Sequence, residues 1–192
     1  HLVGKQVKSK VPYFTGVTEA TTDHLKSLGA AMAASGAVAL YHIKDITPES
    51  PFMDVKGLEK ISITQKDIKE SYELLNQGSN PDIIIFGCPH SSLREIIDLA
   101  GKVEGKKLKK PVWICNSPAM KESVDRMGLT SIIEKAGGKI VADTCMVVSP
   151  LEKMGYSTTA VNSAKAAQYL PGFCKQNVVY GNIDSLLKEL IS

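Results

Sequence analysis

Four cysteines, Cys88, Cys115, Cys145 and Cys174, stand 27, 30 and 29 residues apart. That spacing excludes the paired CxxC ligands of a zinc ribbon. In a chain of 192 residues it is also too sparse for the disulfide framework of a small secreted protein. Reduced thiols in a cytoplasm are therefore expected, and each would ordinarily be a small buried hydrophobe. Local context raises two of them above that. Cys88 lies in Gly87-Cys88-Pro89-His90-Ser91-Ser92, just ahead of an expected helix whose N-terminal dipole lowers a thiol pKa and whose first turn accommodates Pro89. Cys145 closes Asp143-Thr144-Cys145 between an expected strand and an irregular loop. Thiolates this far apart suit an iron–sulfur cluster better than structural zinc. Cys174, after Pro171-Gly172-Phe173, reads as structural, on a connecting loop at the far end of the sheet.

Other polar groups accompany them. His90 is either an acid, base or hydrogen-bond donor, or a helix cap. Ser91 and Ser92 read as caps; neither a GxSxG elbow nor a P-loop is present. Asn162-Ser163 at an expected helix start can hold an anion on backbone N–H groups with Lys165 adding charge, or can be an N-cap followed by a solvated lysine. Asp143 is a general base or a loop anchor.

The elements that position these groups follow from the apolar pattern. Ile83–Phe86, Val112–Cys115, Lys139–Ala142, Thr158–Val161 and Asn177–Tyr180 are short apolar runs that alternate with helical stretches. Strands apolar on both faces indicate an α/β fold, a mostly parallel sheet with helices on both faces. Ligands of such a sheet bind beyond the carboxyl ends of its strands, where Cys88, Cys115 and Cys145 occupy equivalent slots and at least two are expected to meet. Upstream, residues 1–18 read as an extended arm, Glu19–Ser35 as a helix stopped by Gly36, Ala37–Tyr41 as a buried strand, and 42–60 as a loop. A helix capped by Thr64 runs to Asn76, and a closing helix spans Ile183–Ile191. A boundary near Asn76–Asn80 divides an N-terminal lobe, 1–80, from the α/β core, 81–192.

Composition sets the outer limits. Apolar residues make up 43% and charged residues 22%, an ordinary globular balance in a chain long enough to bury roughly 70% of its surface. The net charge of +3 gives no reason to expect nucleic acid. The basic run Lys102–Lys110 reads as a solvated loop rather than a site for a phosphate-bearing partner. No run reaches the about 18 apolar residues of a membrane span. The first residues lack a signal core, and a chain opening on His1 reads as processed or as part of something longer.

Several stretches together resemble the aconitase X family in its large, catalytic chain. They are His1-Leu2-Val3-Gly4 with Pro12-Tyr13-Phe14, Ala37–His42 with Thr47-Pro48-Glu49, Gly87–Ser91, Ala142–Cys145, and Asn162–Lys165 with Tyr169–Gly172. The resemblance implies an aconitase-like three-layer domain and a hydro-lyase using an iron–sulfur cluster, 4Fe–4S favoured, with Cys88 and Cys145 as ligands. The equivalent strand-end slot alone, and not the resemblance, keeps Cys115 in reserve as a ligand. The resemblance also implies that these residues are the C-terminal half of the large chain. The N-terminal half would supply a further cluster cysteine, a small swivelling subunit would close the site, and this portion alone would be inactive and lack an intact cluster. The substrate would be a small carboxylate or phosphate held by Ser91, Asn162, Ser163 and Lys165, with His90, Ser163 and Lys165 as catalytic groups. The archaeal type implies dehydration of (R)-5-phosphomevalonate to trans-anhydromevalonate 5-phosphate in isoprenoid synthesis. The alternative within the family is cis-3-hydroxy-L-proline dehydration. Outside it stand a non-enzymatic α/β binding module and a thiol enzyme with Cys88 as nucleophile and His90 as partner.

Overall fold

A computed structural model describes residues 1–188, arranged in two compact units, His1–Glu73 and a second from Leu74 onward.

The first unit differs from the sequence expectation at both ends of its main helix. Residues Leu2–Val7 form a helix, α1, within the stretch read as an extended arm. It is held by a near-contact of backbones with α2 (Thr22–Gly36). A Cβ on Gly4 would lie 2.7 Å from the Met32 carbonyl, and one on Gly36 would lie 1.8 Å from the Gly4 carbonyl. Two glycines permit this approach, and hydrophobic periodicity does not record it. Thr21 caps α2 through a reciprocal pair of bonds with His24, as the capping-box geometry requires. The expected strand Ala37–Tyr41 is absent. Leu40 is 53% exposed, and the strand is instead β2, His42–Ile43, in parallel register with β1, Tyr13–Phe14. A helix α3, Gln65–Leu75, follows. Thr64 caps it, and Asp67 accepts both the Thr64 N–H and its hydroxyl proton.

The second unit is a five-stranded parallel sheet in the order β5-β4-β3-β6-β7. Its strands are β3 Ile83–Phe86, β4 Val112–Asn116, β5 Gly138–Ala142, β6 Thr158–Val161 and β7 Asn177–Tyr180. Side chains alternate across each strand. Ile84, Phe86 and Ile114 face a layer built by α4 (Leu93–Val103), α5 (Pro118–Arg126), α6 (Leu129–Ala136) and α8 (Ile183–Lys188). Ile83, Ile85 and Cys115 face α7, Ala164–Cys174, and Leu75. This is the three-layer α/β arrangement that the two-sided apolar strands predict.

Three local features complete the description. The stretch after Pro118 is two helices, because Gly128 takes a left-handed φ of 76° between them. Helix α7 runs through Pro171 to Cys174. The expected closing helix is described only to Lys188, and its remainder lies outside the described residues. In the basic run, Lys106, Lys107 and Lys110 spend their ammonium groups on the carbonyls of Lys102, Lys135 and Pro81, which secures loop ends.

Candidate active site at the carboxyl edge of the sheet

The loops that follow β3, β5 and β6 converge at one edge, and each carries residues singled out by their chemistry. After β3, Gly87 turns the chain with φ +94° so close to β4 that a Cβ would lie 2.1 Å from the Cys115 carbonyl. Only glycine tolerates both demands. The Ser91 N–H then bonds that same carbonyl at 3.0 Å, which pins the loop to β4 on either side of Cys88. The Cys88–Pro89 peptide is cis. Helix α4 begins only at Leu93, with Ser92 as its cap and Glu95 closing the box. Cys88 is thus not at a helix N-terminus, and Pro89 is not in a first helical turn.

The thiols of Cys88 and Cys145 lie close enough to govern each other's ionisation. Cys88 is pushed well above the ordinary thiol range, first by its hydrogen bond to Cys145 and then by burial, against the pull of Lys165 and Ser163. Cys145 is brought down to about 6, first by the Cys88 hydrogen bond, then by the Val147 N–H and the charges of Lys165 and His90, against its own burial. One proton shared between two sulfurs produces both effects. The expectation that a helix dipole lowers the Cys88 pKa is therefore corrected: the neighbouring thiol and burial dominate, with opposite sign. Cys115 lies beneath the pair, fully buried, and is pushed up to about 11 by burial and by the charge of Cys145.

The remaining candidates are tied to these cysteines. The His90 Nε2 lies 3.0 Å from the Thr144 carbonyl, and a carbonyl can only accept, so that nitrogen carries the proton. The Ser163 hydroxyl donates to the Cys88 carbonyl and accepts the Ala166 N–H at 3.1 Å. It is at once the cap of α7 and a tie between the β6 and β3 loops. Lys165, on the first turn of α7, sends its charge to both thiols. Asn162 is half-buried beside it and Ser91 is buried. Asp143 is exposed at φ +58°, and its N–H bonds the Asn116 carbonyl at 3.1 Å.

Two features escaped the sequence reading. Cys174 is the last residue of α7, and its buried thiol faces the carbonyls of Met146, Val147 and Ser149 at 3.5, 3.2 and 3.5 Å. It is neither on a loop nor remote from the site. Asn116 is fully buried with both amide atoms unpartnered among the described residues. Its one visible signal was a polar residue closing an otherwise apolar strand.

Family models for the aconitase X second domain and third domain match residues 1–73 and 81–192. This chain belongs to the aconitase X family. Relatives of this aconitase X chain include the phosphomevalonate dehydratase large subunits of Methanocaldococcus jannaschii, 54% identical over 98% of the chain and 48% of that protein, and of Methanothermobacter thermautotrophicus, 44% identical over 98% and 48%. The cis-3-hydroxy-L-proline dehydratase of Pseudomonas aeruginosa is 26% identical over the whole chain and 35% of that protein. The crystal structure of Thermococcus kodakaraensis aconitase X in its holo-form superposes with a TM-score of 0.92 at 41% identity, over 98% of this chain and 49% of that one. The chain thus spans about half the length of the relatives it matches.

The donor set can be tested against the iron–sulfur cluster that an aconitase-like dehydratase implies. Two soft thiols lie side by side, one held readily as thiolate and flanked by a lysine, which suits iron coordinated by thiolates. Among the described residues no third His, Cys, Asp or Glu completes a ligand group, so the pair fits as part of a ligand set. No helix among the described residues is long and apolar enough to cross a membrane.

Proposed function

We propose that this chain is the cluster-bearing portion of a cytoplasmic hydro-lyase that dehydrates (R)-5-phosphomevalonate to trans-anhydromevalonate 5-phosphate. The observation that carries it is the contact of the Cys88 and Cys145 thiols at the carboxyl edge of the sheet, in a family whose members at 41–54% identity are named phosphomevalonate dehydratase large subunit. Relatives named for cis-3-hydroxy-L-proline stand at 26% and 29%, which leaves that substrate as the second reading. The printed name "large subunit" supports a small-subunit partner.

Cys88 and Cys145 would hold a 4Fe–4S cluster, with a third ligand from outside this chain. When bound, such a cluster supplies a Lewis-acidic iron for departure of a hydroxyl. The chain itself supplies the surroundings. Lys165 and the α7 N-terminus, with Asn162, offer positive charge and N–H donors to a carboxylate or phosphate. Ser91 stands on the adjoining loop. Ser163 and His90 place their hydrogen bonds on Cys88 and Thr144 and so keep the loops in register, while Lys165 is the charge-bearing catalytic group of this reading.

The test is anaerobic purification of the full-length chain with its small subunit, followed by iron and sulfide analysis and by assay with each substrate. Iron should be present, and Cys88→Ala or Cys145→Ala should abolish it. Full iron retained in either variant would remove the ligand assignment. Turnover of cis-3-hydroxy-L-proline without turnover of phosphomevalonate would establish the second reading.

A further inference from the structure

We infer that His90 and Cys174 are positioning residues which clamp the Cys145 loop from its two sides and thereby hold its thiol against that of Cys88. The inference rests on the same site as the proposed function but concerns the thiol pair itself, with or without iron.

The loop needs such a clamp. From Asp143 to Pro150 it has no strand partner, and its 3₁₀ turn, Met146–Val148, closes with few internal bonds. Asp143 at its start is held in a left-handed conformation. Yet Met146 within it is buried and packs in the core layer beside Cys88 and Cys115. A short irregular segment whose carbonyls are turned inwards requires donors from elsewhere.

The donors come from two elements. Ahead of Cys145, the imidazole N–H of His90 reaches the Thr144 carbonyl at 3.0 Å. Because His90 stands two residues after Cys88, this bond ties the two cysteine loops directly. Beyond Cys145, the Cys174 thiol has one proton and three carbonyl acceptors, of which Val147 is nearest at 3.2 Å. The Cys145 carbonyl is held in turn by the Val148 N–H and the Ser149 hydroxyl, both at 3.1 Å. The thiol is thus fixed from either side by residues that need not touch iron or substrate.

The test uses the full-length chain with iron removed and phenylarsine oxide as probe. Its arsenic forms two S–As bonds to thiols held side by side, and the two thiol protons leave with the oxide oxygen as water. Peptide mapping scores the Cys88–Cys145 bridge, and hydrogen exchange at Val148 and Ser149 reports the loop. His90→Ala and Cys174→Ala should each weaken bridging about tenfold and speed that exchange. His90→Gln and Cys174→Ser, which keep an N–H or O–H donor, should restore bridging to within about twofold. Bridging at the wild-type level in either alanine variant would overturn the clamp, as would an absence of bridging in the wild type. His90 is exposed, so its variants decide the matter should Cys174→Ala not fold. A wild-type chain that bridges arsenic but binds no iron would sink the proposed function and leave the clamp standing.

Discussion

Cys88 and Cys145 govern each other's ionisation although they follow different strands, β3 and β5, with β4 lying between. The Gly87 turn and the tie from Ser163 set one thiol, and the loop under Cys174 sets the other. A pair placed by the fold has consequences that can be measured without iron.

The first concerns pH. The folded pKa of Cys145 lies at about 6, below the ordinary 9.0. Its contribution to stability is therefore complete above 9.0 and lost as pH falls through about 6. Cys88 has the opposite sign, contributing below 9.0 and losing that contribution as pH rises through its raised value. In the iron-free chain, iodoacetamide should alkylate Cys145 with a midpoint near 6. Cys88→Ala, which removes the S–H donor, should move that midpoint towards 9.0. An unchanged midpoint would show that Cys88 does not control the Cys145 thiolate.

Glycine substitutions separate backbone demand from side-chain space. Gly87→Ala should destabilise by more than about 3 kcal/mol, because the new Cβ meets both a positive φ and the Cys115 carbonyl. Gly101→Ala, inside α4 with nothing within 4 Å, should stabilise by about 0.5–1 kcal/mol. Urea unfolding of the two variants in parallel measures the contrast, and equal effects would contradict the close approach at Gly87.

Acid should loosen the start of β6. The Asp82 carboxylate accepts the N–H and hydroxyl of Ser157 at 2.8 and 2.9 Å and the Thr158 N–H at 2.9 Å. These bonds hold its carboxyl below the ordinary 3.8. Their contribution is present above 3.8 and lost as pH falls through the depressed value. Asp82→Ala should cost about 1 kcal/mol at neutral pH, a modest figure because water screens the group. The difference from wild type should shrink below pH 3.8, as followed by urea unfolding at both pH values.

What the chain's sequence determined by itself is the α/β core. Strands buried on both faces leave unbroken apolar runs, and Ile83–Phe86 was legible to the residue for that reason; Thr158–Val161 and Asn177–Tyr180 were located to the residue too. The helix cap at Thr64 was legible too, because a cap is a local bond between near neighbours, whereas Ser163 read equally as a cap and as an anion site. Tertiary structure decided what depends on distant partners. Helix α1 exists because Gly4 and Gly36 let two backbones touch, a contact written in missing side chains rather than in a period. Ala37–Tyr41, apolar enough for a strand, lies beside no strand that would pair it, and pairing passes to His42–Ile43. Cys174 changed from a loop residue to a loop anchor because α7 continues through Pro171. The spacing of Cys88 and Cys145 marked them as candidates, but their mutual influence required three loops to converge, and no local pattern encodes where a loop returns in space.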